Sequence, residues 1–335
     1  MISIVVPLYN EVESLPPLYG EIVEATRAAN IAFELIFVDD GSRDGSWPVI
    51  AQFAHSDPRV RGIRFRRNFG KAAALSAGFR NARGDIIITL DADLQDDPKE
   101  IPRFLVEMAN GFDVVSGWKK VRHDPWHKVG PSRIFNALVG WVTGVKLHDH
   151  NCGMKCYRAE IFREVRLYGE LHRFIPVLAA ARGWKVGEIA INHRPRQFGE
   201  GKYMGASRFL KGFLDLLTVK FLTGYGRRPQ HLLGGIGILS FLLGNLAFLF
   251  LAFTWLVNRF RPDTFLPVHE RALTFYALAA LLLGAQMMSI GFLAELIIAY
   301  QNHDDESYSI AETTGSQAPT TDGIPPAAPS VTGKN

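Results

Sequence analysis

Two cysteines in 335 residues cannot staple a chain of this length, so a disulfide-built scaffold is excluded and reduced thiols are expected. Glycine is scattered rather than periodic, which removes any collagen-like reading. No G-x-G-x-x-G run follows the first apolar segment, so a dinucleotide site of the Rossmann type is not expected. The opening stretch, MISIVVPLYNE, lacks the basic start and long apolar run of a signal peptide. What is abundant is apolar residue: 47% of the chain against 21% charged, enough to bury a core and to exclude disorder for most of its length. The formal charge of +4 is unevenly spread, with roughly −4 beyond residue 300 and about +8 before it. A basic body suits phosphorylated substrates or an anionic membrane face, and nucleic acid is not expected as a partner.

Two apolar runs near the C-terminus read as membrane spans. Leu232 to Val257 contains no charged side chain, and Leu273 to Tyr300 is interrupted only by Glu295. Each exceeds the ~20 residues needed to cross a bilayer, and neither has the polar face of a soluble core helix. Arg208, Lys211, Lys220, Arg227 and Arg228 crowd the approach to the first span, which places the N-terminal domain in the cytoplasm by the positive-inside rule. Between domain and span, Phe209, Phe213, Leu216, Leu217 and Phe221 recur at helical spacing among charged residues, as in a helix lying in the headgroup layer. The expected division is a cytoplasmic domain over 1–204, amphipathic juxtamembrane helices over 205–230, a two-helix transmembrane hairpin over 231–300 and a disordered tail over 301–335. Gly234, Gly235, Gly237 and Gly244 would allow close helix contact, so a homo-oligomer is also expected.

Residues 1 to about 120 alternate β-rich runs with helical patterns. Strands are expected at Ile2–Val6, Glu34–Val38, Val60–Phe65, Asp85–Leu90 and Asp113–Ser116. Helices are expected at Leu15–Ala29, Trp47–His55, Lys71–Ala82 and Pro98–Ala109. Such alternation predicts an α/β fold with a doubly wound, mostly parallel sheet, in which ligands bind beyond the carboxyl ends of the strands. Acidic residues gather at those ends, in Val38-Asp39-Asp40-Gly41-Ser42-Arg43-Asp44-Gly45 and in Leu90-Asp91-Ala92-Asp93-Leu94-Gln95. Carboxylates so placed repel one another unless a cation joins them, and Mg²⁺ or Mn²⁺ bridging a nucleotide diphosphate is the natural guest. Asp44 and Gly45 are read instead as turn residues.

Four segments in order, P7-L-Y-N-E11, V38-D-D-G-S-R-D-G45, R67-N-F-G-K-A-A-A-L-S-A-G78 and D91-A-D-L-Q95, resemble the family 2 glycosyltransferases. Within these the chain is most similar to the dolichyl-phosphate mannose synthase and bacterial polyprenyl-phosphate glycosyltransferase branch. The resemblance runs from residue 1 to about 230, with two spans following as in the bacterial members. It implies a glycosyltransferase A-type fold, nucleotide contact by Pro7, Tyr9, Glu11 and Asp39, and metal and diphosphate contact by Asp91 and Asp93 with Gln95 nearby. Asp39 could accept from the imide or amide N–H of a base, and Tyr9 offers a ring to pack on it. Ser132-Arg133-Ile134-Phe135-Asn136 matches the family's S-R-x-x-N segment. Arg196 to Tyr203 matches its R-x-x-G-x-S-K-Y loop, with Gly201 in place of the usual Ser. Arg133, Arg196 and Lys202 are implied to hold the lipid phosphate or leaving diphosphate, as guanidinium and ammonium groups can. Asp149 matches the D-x-x-x-G segment and is expected to face the reacting centre, with a loop-capping role as the rival reading. Glu170 has a similar choice between acceptor contact and helix capping.

The implied activity is inverting, metal-dependent transfer from a nucleotide sugar, a UDP-sugar in preference, to polyprenyl phosphate at the inner membrane, as in cell-envelope glycan synthesis. Transfer to a hydroxyl-bearing lipid is the alternative, and a non-catalytic membrane scaffold is the reading from another class. A processive polysaccharide synthase would need more spans and a Q-x-x-R-W motif, to which Ala181-Arg182-Gly183-Trp184 is a poor match.

Overall fold

The computed structural model describes residues 1–120, 126–165, 171–195, 197–198, 207–225, 228–261 and 265–301. Seven strands form one sheet: β1 (Ile2–Leu8), β2 (Phe33–Asp39), β3 (Val60–Arg64), β4 (Ile86–Thr89), β5 (Val114–Lys119), β6 (Lys155–Arg158) and β7 (Val186–Ile191), in the order β3-β2-β1-β4-β6-β5-β7. Every residue of β1 and β2 is buried, which is the mark of strands covered by helices on both faces. The covering helices are α1 (Leu15–Ala28), α2 (Ser46–Ser56), α3 (Lys71–Asn81) and α4 (Ile101–Ala109). They lie where the sequence pattern places them. On one face, Ile4, Val6, Phe37 and Ile88 pack with Leu15, Leu18, Ile22 and Phe104; on the other, Val5, Ile36, Val38 and Ile87 pack with Leu75 and Phe79. Each such side chain contributes roughly 1.5–3 kcal/mol on burial.

One strand departs from the parallel set. β6 runs antiparallel to both β4 and β5, with Lys155 opposite Thr89 and Ser116. A reversed strand begins at the edge where its neighbours end. The loop before β6 therefore arrives at the carboxyl edge of β1, β2, β4 and β5, and that placement builds the site.

Beyond the sheet, α5 (Trp126–Thr143) and α8 (Ser207–Gly224) share a small core in which Val139 meets Leu216, Val219 and, from α7 (Ile175–Ala180), Val177, while α6 (Ile161–Glu164) packs on the sheet through Ile161. Lys220 Nζ donates to the Val142 carbonyl at 2.9 Å. The other faces carry exposed apolar residues: Ile134 and Trp141 on α5, and Phe213, Leu214 and Leu217 on α8. α9 (Pro229–Phe260) and α10 (Ala272–Gln301) are long and apolar enough to cross a membrane. Their outward Leu, Ile and Phe side chains are exposed, a surface suited to lipid and not to water, so the protein is membrane-associated. The two helices pack through glycine: a Cβ on Gly237 would strike the Gly284 carbonyl, and one on Gly244 would strike Leu281. Gly237 and Gly244 thus serve the hairpin itself, leaving Gly235 open among the glycines proposed for self-association. Glu295 accepts from the Gln230 amide at 3.2 Å, which satisfies a donor at the start of α9.

Candidate active site

The carboxyl ends of the strands are tied to one another. Asp40 N–H donates to the Leu8 carbonyl, Phe65 N–H to Asp39 and Leu90 N–H to Val5, at 2.9, 2.8 and 3.2 Å. On this edge the first loop, 9–12, is braced from the second. Asn10 N–H donates to Ser42 Oγ, Glu11 N–H to Ser46 Oγ and Val12 N–H to Asp44. Gly45, at φ +94°, turns the chain into α2, so Asp44 and Gly45 are turn residues as expected. Pro7 is buried in β1, while Tyr9 and Glu11 lie half-buried in the loop beyond it.

Asp39 is fully buried at the end of β2. Its Oδ1 accepts from Ser42 N–H at 2.8 Å, and the Arg64 guanidinium stands 3.6 Å from Oδ2, which has no hydrogen-bond donor among the described residues. A buried carboxylate oxygen without a donor is costly unless something supplies one. The next residue, Asp40, takes the Phe69 and Gly70 amides at 2.6 and 2.9 Å. Burial, and then the neighbouring Asp39, push its carboxyl above the usual range. Asp40 thereby fixes the loop that opens α3.

Asp91 and Asp93 follow β4, both half-buried. Lys71, the first residue of α3, reaches Asp91 Oδ1 at 2.5 Å. Burial works against ionisation of Asp91, but the charge and hydrogen bond of Lys71, helped by Lys119 and His172, hold its pKa at about 2. Asp93 Oδ1 accepts from Gln95 N–H at 3.2 Å. Gly153 lies against Asp91 so closely that a Cβ there would overlap the carboxylate. Among the described residues no three His, Cys, Asp or Glu side chains could cage a metal by themselves. Two carboxylates fit a hard divalent ion that takes its remaining oxygens from substrate and water.

Sequence reasoning missed most of the cations here. Lys119 ends β5, 3.4 Å from buried Asp96. Its own burial favours the neutral form, but Asp96, with Asp91 and Asp149, holds its pKa well above the usual value. Lys155, buried at the start of β6, donates to the His150 and Cys152 carbonyls, and burial lowers its pKa. Neither had a motif to mark it, and only the sheet topology brings them here. Asp96 and Asp97 were missed for the same reason. Asp97 pairs with Arg194 at 2.5 Å, and a bridge joins Asp96 to His193, so the D-x-D loop is bolted to the strand leading towards Arg196.

Asp149 is buried in the loop before β6. Its Oδ1 accepts from Asn151 N–H at 3.0 Å, while Glu188 accepts its N–H at 3.1 Å. Asn136 donates to the His148 carbonyl at 2.8 Å, so the S-R-x-x-N segment anchors this loop to α5. Arg133, on the same helix, is exposed. Arg196, Lys202 and Glu170 lie outside the described residues. Cys152 and Cys156 are buried free thiols.

His150 is fully buried, and neither ring nitrogen has a hydrogen-bond partner among the described residues. Burial and then the Lys155 charge lower its pKa to about 4. An unfolded histidine titrates near 6.5. As pH falls from 6.5 towards 4 the unfolded chain takes a proton that the native chain refuses, so stability falls by about 1.4 kcal/mol per pH unit for this residue. The thermal midpoint in detergent should therefore drop between pH 7 and pH 5, and His150→Leu should reduce that slope by one proton's share. An unchanged slope in His150→Leu would assign the acid sensitivity elsewhere.

Residues 3–166 match the Glycosyl transferase family 2 model. A dodecaprenyl-phosphate galacturonate synthase from Rhizobium johnstonii is 38% identical over 314 residues, covering 91% of this chain and 90% of that protein. An undecaprenyl-phosphate 4-deoxy-4-formamido-L-arabinose transferase from Pseudomonas fluorescens is 38% identical over 299 residues, covering 88% and 84%. Among solved structures, glucosyl-3-phosphoglycerate synthase from Mycobacterium tuberculosis, in complex with Mn²⁺, UDP and phosphoglyceric acid, superposes with a TM-score of 0.52 at 15% identity, over 67% of this chain and 78% of that one. Its complex with Mn²⁺, UDP-glucose and phosphoglyceric acid gives 0.51 at 17%, over 66% and 79%. At such identities the likeness speaks for the fold. With relatives this similar along nearly its whole length, the chain belongs to glycosyl transferase family 2.

Proposed function

We propose that the protein transfers a sugar from a nucleoside diphosphate, a UDP-sugar in preference, to polyprenyl phosphate at the cytoplasmic face of the inner membrane. The observation that carries this is the Asp91–Asp93 pair, ringed by Lys71, Lys119 and Lys155 at the carboxyl edge of the sheet, in a chain with two span-length helices. Such a site is matched to a diphosphate held through a divalent ion. The names of the relatives supply the acceptor class, and the Mn²⁺ and UDP complexes of the fold neighbour agree with the donor and the ion.

Asp91 and Asp93 would hold Mg²⁺ or Mn²⁺, which would neutralise charge on the departing diphosphate. Asp39 Oδ2, buried and without a donor among the described residues, is suited to an imide N–H of the base, with Pro7, Tyr9, Glu11 and Gln95 lining the donor side. A phosphate monoester has its second pKa near ~6 and is largely dianionic at neutral pH. Its oxygen attacks C1 of the sugar, the C1–O bond to the diphosphate breaks, and the electron pair leaves on the nucleotide with inversion at carbon. No proton has to be removed, so no general base is required. Asp149 then balances the charge of Lys119 and Lys155 and holds its loop, and Arg133, Arg196 and Lys202 receive the lipid phosphate. The exposed apolar faces of α5 and α8 suit a domain seated on the membrane, with α8 in the headgroup layer.

The test is transfer from a panel of labelled UDP- and GDP-sugars to polyprenyl phosphate in detergent, with Mg²⁺ or Mn²⁺ and with EDTA. A lipid-soluble product from one donor, abolished by EDTA, is expected. Nucleotide binding without product from any donor would move the acceptor to a hydroxyl-bearing lipid.

A further inference from the structure

Lys71 stands where sequence preference would not put a cation. It is the first residue of α3, at the positive end of the helix dipole, and no acidic residue in that first turn offsets it. A lysine there is disfavoured relative to an anion. The segment before it is nevertheless fixed firmly. Asp40 binds the Phe69 and Gly70 amides, Gly70 turns at φ +94°, and Gly41 lies so near Arg67 that a Cβ would stand 2.6 Å from its carbonyl carbon. The D-D-G-S turn thus positions the R-N-F-G-K loop, and that loop delivers an ammonium to the D-x-D carboxylate at 2.5 Å. Lys71 and Asp91 are both about one-third exposed, so the pair is open to solvent.

A divalent ion held by Asp91 would compete with the Lys71 ammonium for the charge of one carboxylate. Lys119 also acts on Asp91, so the carboxylate is compensated before any ion arrives. An incoming ion alone must displace Lys71 and leave it without a counter-charge beside other cations. An ion arriving with a diphosphate supplies that counter-charge. We infer that Lys71 is a resident counter-ion that yields Asp91 to the metal only when a diphosphate is present to receive its ammonium, so that metal and donor bind together rather than metal first. This rests on the assignment of the metal to Asp91 and Asp93.

Mn²⁺ binding to the full chain in detergent, without acceptor and therefore without turnover, separates the two claims. Free Mn²⁺ is read by electron paramagnetic resonance during titration with manganese chloride, with and without UDP. Wild type should bind Mn²⁺ weakly alone and more tightly with UDP. Lys71→Met should bind Mn²⁺ alone at least tenfold more tightly than wild type and gain less from UDP, while Lys71→Arg should stay within about threefold of wild type. Unchanged or weaker binding of Mn²⁺ alone by Lys71→Met would overturn the inference. Should that variant fail to fold, Lys71→Gln leaves a neutral donor for Asp91 and is expected to show the same tightening. Asp91→Asn tests the underlying assignment. Lost Mn²⁺ binding with and without UDP supports it, and wild-type affinity in Asp91→Asn would remove the metal site, whatever Lys71→Met shows.

Discussion

Asp93→Ala should lower sugar transfer by about a thousandfold or more while the protein elutes and melts like wild type. The expected size follows from removing charge stabilisation at a departing diphosphate, where single preorganised groups are worth ~10²–10³ and a metal contact more. The expected tolerance follows from the surroundings: Asp93 is half-buried, and the hydrogen bond described for its Oδ1 is to Gln95 N–H, two residues on. The loop keeps its shape through other residues, because Asp97 holds Arg194 and Lys99 N–H, and Asp96 sits against Lys119. Loss of transfer, measured as label entering the lipid phase, would also exclude a scaffold that merely keeps the fold. Retained turnover in Asp93→Ala would take the D-x-D assignment away.

Much of this architecture is legible in the sequence, for a physical reason. β1 to β5 and α1 to α4 each obey a local rule: β-rich runs for the strands, buried throughout in β1 and β2, or 3.6-residue spacing for the helices that cover them. Turn chemistry was equally local, and Asp44 and Gly45 do what an Asp-Gly pair does in isolation. β6 and β7 escaped because the information that places them is not local. β6 is only Lys-Cys-Tyr-Arg, too short and too charged to read as a strand, and its reversed direction has no signature in composition. That reversal puts Lys155 and the Asp149 loop beside Asp91. Lys119, at a strand end, looks ordinary until the sheet closes around it.

The membrane segment shows the same division. Length and lack of charge mark α9 and α10, yet which glycines face which helix depends on the crossing. Gly237 and Gly244 lie inside the hairpin, so their small size is accounted for without a second copy of the chain. Glu295, the one acid in the second span, likewise has a partner in the Gln230 amide of the first.

Gly153→Ala carries the other large effect, and here fold and activity should separate. The Gly153 carbonyl accepts from Thr89 Oγ1 at 2.7 Å, and Lys155 begins β6 two residues later, so the backbone has no room to retreat. An added Cβ would lie 2.5 Å from Asp91 Cγ and 2.8 Å from Oδ1, distances at which something must move. The movable part is the Asp91 carboxylate, the free end of a side chain, so the rearrangement should cost only about 1–2 kcal/mol of stability. A displaced Asp91 leaves Lys71 and the metal position, and misplacement of a reacting-site group by about 1 Å commonly costs ~10²-fold. Transfer should therefore fall about a hundredfold with a thermal midpoint only a few degrees lower, and the affinity for Mn²⁺ plus UDP should fall with it. Activity near wild type would mean that Asp91 tolerates displacement and that Asp93 carries the metal contact. Collapse of the fold would mean that the backbone, rather than the carboxylate, gives way.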